Sequence, residues 1–150
     1  LIVDATIVTD RRIVEAQELL GRERDVLVLT AEERRWGRRR ARTAAGRELA
    51  LALPTGSVLA AGEVLHVDRD WYVVVEAAME AVLAVEPRSA EEGLRLAFEV
   101  GNRHFMLAWD GARALLPDDP AMEQLLKRMD LPFERTRAVF VPLGRGHRHD

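Results

Sequence analysis

Over residues 49–53 the large apolar side chains fall on alternate positions, Leu49, Leu51 and Leu53, the period-two pattern of a half-buried strand. Short strand-like runs recur on either side of it: Leu1–Val3, Thr6–Val8, Val26–Leu29, Val58–Leu59, Val64–Val67 and Trp71–Val75. Turn residues separate them, at Thr43–Gly46, Pro54–Ser57, Ala61–Gly62 and Asp68–Asp70. Between the first runs, Ile13–Leu20 reads as a helical turn or irregular chain. Short strands at this spacing predict a small all-β domain, barrel-like or sandwich-like, over residues 1–78.

The rhythm changes near residue 80. Ala81–Val85 reads as a strand stopped by Pro87. Ser89 with Glu92 three residues on forms a capping box, each side chain meeting a free backbone donor of the other. The helix that follows is expected to present Ala90, Leu94, Ala97 and Phe98 on one apolar face and to stop at Gly101. Phe105–Trp109 and Ala112–Leu116 read as strands joined by the Asp110–Gly111 hairpin signal. Asp119 as N-cap with Pro120 behind it opens a second helix, whose stripe is Met122, Leu125, Leu126 and Met129. Phe133–Val141 is the last strand, closed by Pro142. The order β-α-β-β-α-β is that of a ferredoxin-like α+β domain, placed at residues 79–143. Residues 144–150 carry no apolar pattern and read as a flexible, histidine-bearing tail.

Composition narrows the chemistry. The chain has 150 residues, no cysteine and a net charge of −3, so thiolate metal sites and disulfides are excluded and no global charge draws it to nucleic acid. No apolar run approaches a membrane span and no signal peptide is apparent, so the expected compartment is the cytoplasm, with no membrane partner. No nucleophile elbow, dinucleotide fingerprint or phosphate-loop lysine motif is present, and the carboxylates fall at caps and on helix surfaces. The expectation is that the protein is not an enzyme and has no catalytic residues.

Metal chemistry, if any, must use imidazole and carboxylate. Four histidines are available. His104 sits in Gly101-Asn102-Arg103-His104, a tight polar bend between helix and strand, and His147 and His149 lie in the tail. These three are the candidate metal ligands. One imidazole is a poor site, but two copies facing across a two-fold axis make a fair one. Such a site is accessible and incomplete, and so suits an ion that must be released. Nitrogen ligands of this type accept Ni²⁺, Zn²⁺ and Cu²⁺. His66 reads as an ordinary strand residue. The stretch Arg34–Arg42 holds six arginines, either a phosphate-binding or nucleic-acid-binding patch or, by the simpler reading, a strand with solvated arginines. A non-metal structural adaptor, with His104 only packing, is a further alternative.

Several stretches together resemble the urease accessory protein UreE family of nickel metallochaperones. They are the Arg-rich residues 34–42, Gly46-Arg47-Glu48, Leu53-Pro54-Thr55-Gly56-Ser57-Val58-Leu59, Gly62-Glu63-Val64-Leu65, Gly101-Asn102-Arg103-His104, the helix from Pro120 to Met129, and Phe140-Val141-Pro142 before the tail. The resemblance implies a homodimer joined through the second domain, with one Ni²⁺ held between the two His104 side chains and the tail histidines assisting. Whether dimers pair further, into a dimer of dimers with metal, is left open by the sequence. It implies a first domain similar to a peptide-binding module, and partners that include a urease accessory GTPase and the apo-urease complex. This chain lacks the long histidine-rich tail and the extra histidines before the second helix that some members carry, which argues against a storage role.

Overall fold

The computed structural model describes residues 5–11 and 13–144. They divide into two compact units, the first ending at Ala78 and the second beginning at Met79. Most of the regular structure is β-sheet, with two α-helices. No helix among the described residues is long and apolar enough to cross a membrane.

The first unit holds six strands: β1 (Thr6–Val8), β2 (Glu23–Leu29), β3 (Arg38–Arg42), β4 (Glu48–Ala52), β5 (Val64–Val67) and β6 (Trp71–Ala77). They form two three-stranded sheets, ordered β1-β4-β3 and β2-β6-β5. In each sheet one pair is parallel, β1 with β4 and β2 with β6, and the other antiparallel. The alternation read from the sequence decides which residues point inward. Leu49, Leu51 and Leu53 join Val8, Leu27, Leu29, Leu65, Val73 and Val75 in one buried core, fed by both sheets. Ile13–Leu20 contains only a short 3₁₀ turn at Ala16–Leu19. Val58–Leu59 is not a strand. Leu59 is a buried loop residue whose N–H donates to the Arg34 carbonyl at 2.8 Å, so its apolar character serves the core rather than a ladder. The strand expected at Leu1–Val3 lies outside the described residues, as does the tail from 145 onward.

The second unit runs β7 (Met79–Val85), α1 (Ala90–Asn102), β8 (Ala108–Trp109), β9 (Ala114–Pro117), α2 (Pro120–Arg128) and β10 (Glu134–Val139). Its sheet order is β10-β7-β9-β8, antiparallel throughout. Leu83 and Val85 of β7, Ala114 and Leu116 of β9, and side chains of both helices close one core. Strand β8 is much shorter than the expected Phe105–Trp109, because Phe105 and Leu107 leave the ladder and pack against that core.

Helix α1 corrects the expected apolar face. Leu96 and Val100 are buried, whereas Leu94 and Phe98 are 72% and 69% exposed. At 3.6 residues per turn, Leu94 and Phe98 lie about 160–200° around the helix from Leu96, so α1 is apolar on two opposite sides. A single sequence offers no way to tell which of two such stripes meets the sheet. Helix α2 follows its expected stripe, with Met122, Leu125 and Leu126 buried.

Candidate metal site

His104 owes its position to how α1 begins and ends. At the start, the Ser89 side chain accepts a hydrogen bond from the Glu92 N–H at 3.1 Å. The Glu92 carboxylate does not return to the N-cap itself. It accepts from the Arg88 N–H at 2.9 Å and pairs with the Arg88 guanidinium, a capping box displaced by one residue. That pairing holds Glu92 below the usual carboxylate range, and the Arg88 guanidinium also donates to the Asp130 carbonyl at the end of α2.

At the far end Gly101 is inside the helix, and its expected role as the stop belongs to His104. His104 has φ of 61°, the left-handed conformation usually given to glycine. Its N–H donates to the Gly101 carbonyl at 3.0 Å, and the Phe105 N–H donates to the Val100 carbonyl at 3.2 Å. These two bonds are the Schellman termination of a helix, with histidine in the glycine position. Phe105 and Val100 both belong to the core, which supplies the apolar contact that accompanies this cap. Helix α2 ends the same way, with Asp130 at φ of 56° and the Leu131 N–H donating to the Leu126 carbonyl at 2.9 Å.

The consequence is an imidazole presented outward on a backbone fixed by the helix behind it. His104 is exposed, and its ring makes no hydrogen bond to a described residue. Arg103, its neighbour, turns away and binds the Glu99 carbonyl and carboxylate on the helix, where a cation suits the negative end of the dipole. Among the described residues no three His, Asp or Glu side chains converge on a point able to hold a metal. His104 therefore stands as a single exposed imidazole, with no His, Asp or Glu cluster around it among the described residues. His147 and His149 lie outside the described residues, but the chain leading to them is anchored close by in sequence terms: the Leu143 N–H donates to the Leu107 carbonyl at 2.7 Å, three residues after His104.

His66, on β5, is engaged elsewhere. Its Nε2 lies 3.3 Å from Asp68 Oδ2 and its ring centroid 5.4 Å from that of Trp71. The Arg34–Arg42 stretch is not one surface. Arg34 is 4% exposed and donates to the Leu29 carbonyl at 2.8 Å, whereas Arg38, Arg40 and Arg42 project from β3 into solvent. Sequence reasoning named the Leu94 and Phe98 stripe but took it for the buried face; it is exposed, and leads along α1 to Gly101 and His104. The available signal was the presence of apolar residues on both sides of one helix.

Comparison with known proteins covers nearly the whole chain. Residues 10–78 match the family described as UreE urease accessory protein, N-terminal domain, and residues 80–150 match its C-terminal domain. The urease accessory protein UreE of Deinococcus radiodurans is 43% identical over 112 residues, covering 75% of this chain and 72% of that protein. The protein of the same name from Paraburkholderia xenovorans is 36% identical over 135 residues, 87% of this chain and 60% of its own length. That of Burkholderia thailandensis is 41% identical over 108 residues, 69% of this chain and 51% of its own length. The chain thus spans between about half and three quarters of these relatives. With matches to both of its domains, the chain belongs to the UreE urease accessory protein family, a family of accessory chaperones and not of enzymes.

Proposed function

We propose that this protein is a nickel carrier for urease maturation, acting as a homodimer joined through its second domain. In this reading His104 of each copy supplies one nitrogen to a shared Ni²⁺. His147 and His149 add ligands, and the ion passes in the cytoplasm to an apo-urease complex together with an accessory GTPase. The observation that carries the reading is the placement of His104: an exposed imidazole with no hydrogen bond among the described residues, on a fixed left-handed cap at the end of an exposed apolar stripe. Two α1 helices meeting along Leu94, Phe98 and Gly101 would bury that stripe and bring the two His104 residues near one axis. Gly101 has open space where a Cβ would stand, so the helix backbone is approachable there.

The second unit is read as a ferredoxin-like domain, supported by its β-α-β-β-α-β order and the sheet order β10-β7-β9-β8. The first unit, in the same reading, meets other proteins of the assembly machinery.

Nickel titration by calorimetry tests the proposal on the intact chain, on His104→Ala and on a chain ending at Leu143. The expected result is about one Ni²⁺ per two chains, lost in His104→Ala and weakened without the tail. Affinity should fall as pH drops through about 6–7, where imidazole protonates. Unchanged binding by His104→Ala would sink the shared site and leave the tail as the metal handle.

A further inference from the structure

Strand β3 is an edge strand, the last in the order β1-β4-β3. Its register with β4 pairs Arg38 with Ala52, Arg40 with Ala50 and Arg42 with Glu48. On either side of these pairs, the Leu53 N–H donates to the Gly37 carbonyl at 2.7 Å and the Thr43 N–H donates to the Arg47 carbonyl at 2.8 Å. In an antiparallel ladder alternate residues turn their backbone groups to the same neighbour. Residues 37, 39, 41 and 43 therefore face β4, and Arg38, Arg40 and Arg42 direct their N–H and C=O groups to the open edge. No strand among the described residues pairs with that edge. One long contact touches it, from Arg39 Nε to the Arg40 carbonyl at 3.5 Å.

The same three residues carry exposed guanidinium groups on one face of the sheet. Their compensation is thin. Glu48 is shared between Arg42 at 3.1 Å and Arg40 at 3.7 Å. Arg38 has no carboxylate partner among the described residues, and Arg35 is exposed just upstream. Arg39, on the other side of the strand, is already engaged by Glu33 at 2.9 Å and by the ring of Trp36 at 4.9 Å. Trp36 itself is 46% exposed at the head of the strand.

We infer that β3 is a docking edge for an extended, acidic segment of a partner protein, which adds as a further strand. Backbone pairing with Arg38, Arg40 and Arg42 supplies affinity, and carboxylates on alternate residues of the incoming strand meet the guanidinium row. Single-stranded nucleic acid suits this edge less well. Its backbone has no donors and acceptors at strand spacing, and one aromatic at the end of the row is not a stacking platform. The inference extends the reading of the first unit as a partner-binding module and does not depend on metal binding.

The test uses the full chain and a labelled eight-residue peptide of alternating glutamate and threonine. Three comparisons decide it: the same peptide N-methylated at alternate backbone nitrogens, single-stranded DNA of equal charge, and the Arg38→Glu/Arg40→Glu protein. The expected result is saturable binding that raises amide exchange protection at Arg38, Arg40 and Arg42. N-methylation should weaken it at least about tenfold, and charge reversal should abolish it. Equal binding of the N-methylated peptide to the unaltered protein would overturn strand addition, whatever the variant does. DNA binding as tightly as the peptide would replace the inference with a nucleic-acid surface. No binding of the peptide would end it, and would leave the nickel titration untouched.

Discussion

The N–H of Phe105 bonds the carbonyl of Val100 across a left-handed His104, so one residue both closes α1 and offers the exposed imidazole. A non-glycine side chain in this conformation is held at a cost of order 1 kcal/mol. His104→Gly should therefore keep or raise stability, by about 0.5–1 kcal/mol relative to His104→Ala, while abolishing nickel binding at the shared site. Denaturant titration beside calorimetry separates the two effects. A glycine variant that unfolds easily would mean that the ring itself supports the cap.

The dimer reading makes Phe98 a surface residue in one copy and a buried one in two. Phe98→Asp should leave the subunit folded, because the ring is exposed and outside the core, yet convert a dimer to a monomer. Sedimentation at matched concentration with circular dichroism reads both. A variant that stays dimeric would place the contact elsewhere.

Asp25 is 2% exposed in the first unit. Burial alone would raise its pKa. The Thr43 hydroxyl, the Arg47 guanidinium and the N–H groups of Ala45 and Val26 together outweigh burial and hold it below the usual carboxylate range. Arg47 also pairs with Glu23 and lies 4.5 Å over the Trp71 ring, so the cluster ties the 43–47 turn to β2 and β6. A depressed folded-state pKa means stability that is fully present above about pH 4 and lost as pH falls through the folded value. Asp25→Asn should lower stability at neutral pH by about 1–3 kcal/mol and flatten the acid limb of the curve. Denaturant midpoints at pH 6 and pH 3 would show it, and parallel curves for the two proteins would refute it.

Asp119 caps α2, its carboxylate accepting the Ala121 N–H at 2.8 Å. Asp119→Ala should destabilise the second unit by about 1 kcal/mol. Thermal melts would register this as a lowered midpoint, and no shift would mean that solvent satisfies the helix start equally well.

What could be read from the sequence divides along physical lines. The Asp119-Pro120 start, the Asp110–Gly111 hairpin and the alternation of Leu49, Leu51 and Leu53 are local signals, set by backbone sterics and one-sided burial, and they stand where expected. The end of α1 was not legible: glycine is the usual left-handed cap, so Gly101 drew the helix end that His104 occupies. The two-sided α1 could not be resolved, because Leu94 and Phe98 are as apolar as Leu96 and Val100, and only the sheet decides between them. Arg34 was grouped with its arginine neighbours, yet it turns inward to the Leu29 carbonyl, a long-range placement that no pattern within the stretch announces.

The stripe on α1 that ends at His104 has a thermodynamic corollary. If two copies meet along it and share an ion, association and metal uptake are linked, and linkage is reciprocal. Whatever factor nickel adds to the association constant, association adds to the affinity for nickel. A partner that parts the two helices would then loosen the cargo by the same factor, without touching a ligand. Apparent melting temperature would rise with protein concentration as well as with nickel. In that arrangement the apolar side of one helix would set when the ion is let go.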